Sequence, residues 1–336
     1  MSKALMIGPR KNRKHPDKIG GVIVLFEDLL SYCDAQGISY DVIDTNKENY
    51  SNRLFSYVAI VFLLLRKIPR ATHLSLHGTA NDFVLIAPVA VLFSKLFGTS
   101  VSLRKFAGNF HELFEGFSGL KRRIVTWTLE QSTCNFFETR YLVEYFKPYN
   151  PHTHWFPNVR KRQAVSVSGV YRKRFVYIGG ICKEKGIELL CEASNQLEDD
   201  YVVDLYGVLL EDYTKDFFND YKVQYQGILQ PEDVIHTLQQ YDILLLPSYR
   251  EGYPGVIIEA LSVGLPVIAT KLKGIEEMVN QESSVLIEPG SVEQLAAAMQ
   301  SFGTTDYAQK SSAAKQQFDA FDSDIQTELF FARIGW

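Results

Sequence analysis

The chain has 336 residues, 46% of them hydrophobic and 22% charged, with a formal net charge of −4. This is the balance of a soluble globular protein, and the length favours two domains over one. No internal repeat or low-complexity tract is present, and the negative sum without a binding motif argues against a nucleic-acid partner.

Residues 3–9 (KALMIGP) predict a short apolar strand. No apolar signal core precedes it, so secretion is not expected and a cytoplasmic location is. A basic loop (RKNRKHPDKI) follows. Residues 20–37 then read as an apolar helix entered through Gly20 and Gly21 and closed by Gly37. ISYDVID is the next strand. The runs YVAIVFLLL (residues 57–65) and FVLIAPVAVLF (residues 83–93) fall short of the ~18–20 residues that a membrane helix needs. They are expected as buried core segments. THLSLHG, ANDFVLIAPVAVLFSKLFG and TSVSLRKF continue an alternation of strands and helices, which implies a parallel sheet covered on both faces.

Residues 155–174 (WFPNVRKRQAVSVSGVYRKR) break the pattern, and their middle, about 159–170, reads as an interdomain linker. The alternation then restarts with RFVYIGG, KGIELLCEASNQL, YVVDLYG, VQYQGIL, PEDVIHTLQQY, DILLLP, GVIIEALSVG and PVIAT. The fold class is therefore α/β, with two Rossmann-like doubly wound domains, residues 1–160 and 165–317. They are expected to face each other across a cleft, with ligand loops at the carboxyl ends of the strands. A C-terminal helix, about 318–336, is expected to pack back on the first domain.

Cys33, Cys134, Cys182 and Cys191 form no C-x-x-C pair and no zinc spacing, which fits a reducing compartment. Charge is unevenly placed. Residues 1–164 carry 22 Lys and Arg against 13 Asp and Glu, a net +9, and the remainder carry 13 against 26, a net −13. Such asymmetry suggests that the first half meets an anionic surface or ligand.

Two glutamates stand out in LPSYREGYPGVIIEALSVGLPVIAT (residues 246–270). DILLLP is a continuous apolar run, hence a buried strand, and the loop SYREGYPG leaves its carboxyl end. Gly252 and Gly255 lack a Cβ, and Pro254 has a fixed φ and no N–H. The next helix begins near Gly255 and Val256. Its first amides are unpaired and suited to a phosphate. Glu259, on the first turn, is placed for ribose hydroxyls, and Glu251 for hydroxyls of a second group. The plainer alternative makes Glu259 a partner of the helix dipole and Glu251 a solvated loop residue. That alternative leaves the Gly-Pro-Gly loop unexplained.

At these residues the chain resembles the retaining glycosyltransferases of family 4, of the bacterial polysaccharide and lipopolysaccharide type, which have the GT-B fold. The matching positions are Pro247-Ser248, Glu251-Gly252-Tyr253, Glu259-Ala260, the run from Gly264 to Thr270, and Gly274-Ile275-Glu276-Glu277. FVYIGGICKEKGIELLCEA resembles the strand, loop and helix whose lysine, here Lys185, touches the donor diphosphate. The segment around Gly227 and Ile228 resembles the one against the nucleobase, and Gly20-Gly21 the glycine loop over the phosphates. The likeness covers nearly the whole chain, strongly in the second half and weakly in the first.

Two departures are visible. Gly180 stands where the family usually has an arginine of the diphosphate site, a cation that Lys183, Arg250 or Arg104 would have to replace. Arg104 also stands near the position where many members carry a histidine. His111 and His77 are candidates for sugar contact.

The resemblance implies a hexosyltransferase with no cofactor and no metal, moving a sugar from a nucleotide diphosphate sugar, UDP- or GDP-linked, with retention. Lys185, the helix start at Gly255–Val256 and Gly20-Gly21 would stabilise the leaving diphosphate. Glu251 would position the sugar, with Arg104 and His111 as further catalytic candidates. Tyr253 and Pro254 complete the expected donor-binding set. The acceptor would be a saccharide or lipid-linked saccharide in surface polysaccharide synthesis. The segment GLKRRIVTW and the net +9 suggest peripheral contact with an anionic membrane surface at the inner face of the plasma membrane. Two other readings remain open: a non-catalytic partner subunit of the same fold, and a nucleotide-sugar epimerase. The Asp-x-Asp at Asp322–Asp324 resembles a metal motif of other glycosyltransferases, but its place before a helix reads as an N-cap.

Overall fold

The apolar runs become strands buried on both faces, as parallel sheets require. The computed structural model describes residues 3–15, 20–106 and 108–336. Residues 16–19 of the basic loop lie outside the described residues. Two compact units appear: Met1–Asn158 with Gln326–Trp336, and Val159–Ile325.

The first unit holds a parallel six-stranded sheet of β1 (Ala4–Gly8), β2 (Tyr40–Asp44), β3 (His73–Gly78), β4 (Ser100–Lys105), β5 (Cys134–Phe137) and β6 (Thr153–Trp155). Their order is β2-β1-β3-β4-β5-β6. Ile7 on β1 pairs in register with Ile43 on β2 and Leu76 on β3. These apolar side chains meet Ile60, Leu64, Ala90, Val91 and Val125 from the covering helices in one core. The single helix expected after β3 is two, Ala80–Leu85 and Ala87–Phe97. Pro88 has no N–H to continue the first helix but suits the opening turn of the second.

The run 57–65 lies within the helix Arg53–Lys67, and it is not wholly buried as expected. Ile60 and Leu64 face the core, whereas Val58, Phe62 and Leu65 are exposed. The run is apolar around the whole helix, but only one face of a helix can meet the sheet. At the C-terminus, the Phe330 ring lies 4.8 Å from that of Phe136 and 5.1 Å from that of Phe156, within the first unit.

The second unit repeats the plan with β7 (Arg174–Ile178), β8 (Val202–Tyr206), β9 (Gln224–Gly227), β10 (Ile243–Leu246), β11 (Val267–Thr270) and β12 (Ser284–Ile287). All are parallel, in the order β12-β11-β10-β7-β8-β9. Stretches read from sequence as linker are bonded into this unit. Arg160 bridges to Asp322, and the Val167 N–H donates to the Val263 carbonyl. Asp322 Oδ1 accepts the Asp324 N–H at 3.0 Å, at the start of the helix Ser323–Arg333, while Oδ2 accepts from Arg162 Nε. The Asp-x-Asp thus caps a helix.

In each sheet the chain runs to one edge and then returns beside its first strand. The carboxyl ends of β1 and β3, and of β7 and β10, are therefore the points where such folds place ligands.

Candidate functional site

At the second of these points, two loops lock together. The loop after β7 carries Lys183–Lys185 and then Gly186, whose φ is +71° and whose missing Cβ would lie 2.1 Å from the Pro247 carbonyl oxygen. Only glycine fits there. The Tyr249 N–H donates to the Glu184 carbonyl at 2.9 Å, tying the loop after β10 to the loop after β7.

This lock brings Lys185 to Glu251. Lys185 Nζ donates to Glu251 Oε1 at 2.8 Å, and the Ser248 hydroxyl donates to the same oxygen at 2.9 Å. Both charged side chains are largely enclosed, at 28% and 10% exposure. A charge-assisted pair of this kind is well oriented. The Tyr177 hydroxyl nearby donates to the Gly180 carbonyl at 2.8 Å. Burial, then the charge of Glu251, raises its pKa far above the usual phenol value and keeps it a donor.

The helix Gly255–Val263 opens directly after this loop. The amides of Gly255 and Val256 fall at its first positions, which have no carbonyl partner within a helix. Arg160, which sequence reasoning passed over as linker, lies against this end. Its Nε donates to Glu259 Oε1 at 2.8 Å, and its Nη2 lies 2.5 Å from where a Gly255 Cβ would stand. The signal that could have found it is the basic run Arg160-Lys161-Arg162 beside an acidic domain. Lys183 and Arg250, offered from sequence as substitutes for the missing cation, are exposed and reach Glu188 and Glu184 only at 3.8 Å. Arg160 is the guanidinium at the helix start.

Other expected residues fall differently. Tyr253 is buried, its ring centroid 6.2 Å from that of Phe321, so its side chain packs within the unit. Gly227 has a φ of +97°, and Ile228 beside it is exposed. Gly20 is the N-cap of the helix Gly21–Ala35 in the first unit.

Arg104 does not present its guanidinium at the surface. It is 1% exposed, stacks 3.6 Å from the Phe156 ring centroid and donates to the Pro157 carbonyl at 2.9 Å. Among the described residues Nε and Nη1 have no hydrogen-bond partner, and burial lowers its pKa to about 9. His77, on the neighbouring strand, is fully buried and is no sugar contact. His111 packs edge-on against Tyr141, ring centroids 4.8 Å apart.

The switch point of the first sheet holds a pocket of about 370 Å³ lined by Pro9, Thr45, Lys47, Tyr57, Thr79 and Asp82, among others. Lys47 Nζ pairs with Asp82 Oδ1 at 2.7 Å. Thr45 Oγ1 and the Tyr57 hydroxyl are buried without partners among the described residues.

Two Rossmann-like units with a Lys–Glu pair at the second switch point define the layout of a GT-B protein. Residues 172–303 match the family model for glycosyl transferases group 1. TuaC of Bacillus subtilis, provisionally named a teichuronic acid biosynthesis glycosyltransferase, is 32% identical over 141 residues, which are 42% of this chain and 35% of TuaC. WcaL of Escherichia coli, provisionally named for colanic acid biosynthesis, is 25% identical over 199 residues, 51% of this chain and 49% of WcaL. The chain thus spans about half or less of the length of these curated relatives. Among solved structures, Anabaena HepE in complex with UDP superposes with a TM-score of 0.71 at 14% identity, over 98% of each chain. That likeness shows the fold.

Proposed function

We propose that the protein is a retaining, metal-independent glycosyltransferase. It moves a sugar from a nucleotide diphosphate sugar, UDP- or GDP-linked, to a saccharide or lipid-linked saccharide acceptor in bacterial surface polysaccharide synthesis. The observation that carries this reading is Glu251, held by Lys185 and Ser248 at the β7–β10 switch point, beside the start of the helix Gly255–Val263.

In this reading the diphosphate sits on the Gly255 and Val256 amides, with Lys185 and Arg160 as its cations. Charge grows on the leaving diphosphate in the transition state, so fixed amides and cations aimed there lower the barrier. Glu259 takes the ribose hydroxyls. Glu251 fixes the sugar hydroxyls and is not a nucleophile. The acceptor hydroxyl attacks the anomeric carbon on the face that the diphosphate leaves, and its proton passes to the departing phosphate oxygen. Arg160 is the feature that favours an enzyme over a non-catalytic partner subunit, because it restores a cation where Gly180 removes one. The pocket of the first unit, where the Thr45 and Tyr57 hydroxyls have no partner among the described residues, suits an acceptor saccharide.

The test is calorimetric titration with UDP, GDP, ADP and CDP in turn, with and without EDTA. The expected result is selective binding of UDP or GDP, unchanged by EDTA. Failure of all four to bind would sink the reading.

A further inference from the structure

The outer face of the first unit is more apolar than a water-facing surface has reason to be. On the helix Arg53–Lys67, Leu54, Val58, Phe62 and Leu65 recur at i, i+4, i+8 and i+11, a single stripe, with Phe55 at its margin. The stripe points away from the core face formed by Ile60 and Leu64. The helix Ala87–Phe97 packs beside it and exposes Leu92, Leu96 and Phe97; the helix Gly119–Gln131 packs beside that and exposes Leu120. All nine side chains are 45% to 75% exposed. Apolar side chains scattered singly are ordinary, but nine exposed ones on three helices packed side by side mark a surface that something covers.

Charge says what covers it. The three helices carry seven Lys and Arg and one acidic residue, Glu130. Arg53, Arg66, Lys95, Lys121 and Arg123 are exposed on the same three helices. A second copy of the same face would bring like charges together. An anionic bilayer offers what this face lacks: acyl chains for the apolar side chains and phosphates for the cations. No helix among the described residues is long and apolar enough to cross a membrane.

We infer that the band formed by Leu54, Val58, Phe62, Leu65, Leu96 and Leu120 docks the protein in the plane of an anionic lipid bilayer. It dips apolar side chains below headgroups that the flanking cations bind. The inference stands apart from the sugar-transfer reading, since neither the Lys185–Glu251 pair nor the Arg160–Glu259 pair takes part.

The test is co-sedimentation of the full chain with phosphatidylcholine vesicles, with and without about a third phosphatidylglycerol. Three forms are compared: wild type, the Leu54→Gln, Val58→Gln, Phe62→Gln triple variant, and the Arg66→Glu, Lys121→Glu, Arg123→Glu triple variant. Thermal melts serve as the folding control. Wild type should partition onto the anionic vesicles, and each variant should bind about tenfold or more weakly while melting like wild type. Because the two variants are independent, loss of one fold leaves the other to decide. Wild type absent from anionic vesicles, or variants that bind as wild type does, overturns the inference. So does a wild-type dimer that the glutamine variant abolishes without any vesicle binding, which would make the face an interface between copies.

Discussion

Arg160 shows how one side chain can serve two partners. Its Nε holds Glu259 while its far end covers Gly255, so it both neutralises the carboxylate and adds positive charge where the helix amides already favour an anion. Arg160→Ala is expected to raise the dissociation constant for the preferred nucleoside diphosphate about tenfold, ~1.4 kcal/mol. Arg160→Lys should recover only part of this, because an ammonium lacks the planar fork. Calorimetry on the two variants checks it, and an affinity within twofold of wild type in Arg160→Ala would remove Arg160 from the site. The two glutamates should separate by kinetics. Glu259→Ala should weaken nucleotide binding, whereas Glu251→Ala should mainly lower kcat, the outcome that the proposed roles require. Equal, negligible effects would refute both roles. Glu251, Glu259 and Lys185 were legible in the sequence because each lies inside a spaced motif. Arg160 was not, because it meets Glu259 only through a strand-like bridge to residue 322, far along the chain.

At the scale of elements, β3 carries a titration that the fold makes visible. His73 and His77 project from one strand into the interior. The Nε2 of His73 bonds with Ser102 and that of His77 with Ser75, and neither Nδ1 has a hydrogen-bond partner among the described residues. Burial lowers the His73 pKa to about 4. Burial, then the charges of Arg104 and His73, lowers that of His77 well below its ordinary value. Both rings are therefore neutral when folded and protonate more readily when unfolded. Their contribution is complete above about pH 6.5 and is lost as pH falls through about 4 for His73, on the order of 3 kcal/mol for that ring. Denaturant unfolding from pH 7 to 4 should show this decline, and His73→Gln should flatten part of it. A variant that tracks wild type across the window would disprove the assignment. The strand itself was plain from THLSLHG, whereas the burial of its histidines was not, since alternation does not say which face a neighbour covers. The same limit hid the outer face of Arg53–Lys67. An apolar run looks alike whether one face or two are buried, and only the sheet beneath decides.

At the scale of the whole molecule, the uneven charge gives the bilayer inference a second, separable consequence. A net −4 spread evenly would be repelled by an anionic surface. Instead, residues 1–164 hold a net +9 and the remainder a net −13. The same split holds by unit, with 20 Lys and Arg against 14 Asp and Glu in the first, a net +6, and 15 against 25 in the second, a net −10, so attraction belongs to the first unit. Electrostatic attraction acts over a Debye length, ~10 Å at 0.1 M salt and ~3 Å at 1 M, while contact of Leu54, Val58 and Phe62 with acyl chains is not screened. Vesicle binding should therefore fall steeply between 0.1 M and 1 M salt but level off above zero. That residue of binding should vanish in the Leu54→Gln, Val58→Gln, Phe62→Gln variant. The charge-reversal variant should show the reverse pattern, weak at low salt and nearly independent of salt. Sedimentation across a salt series separates the two terms. Complete loss of wild-type binding at 1 M would mean that the cations act alone and that the apolar band does not enter the bilayer.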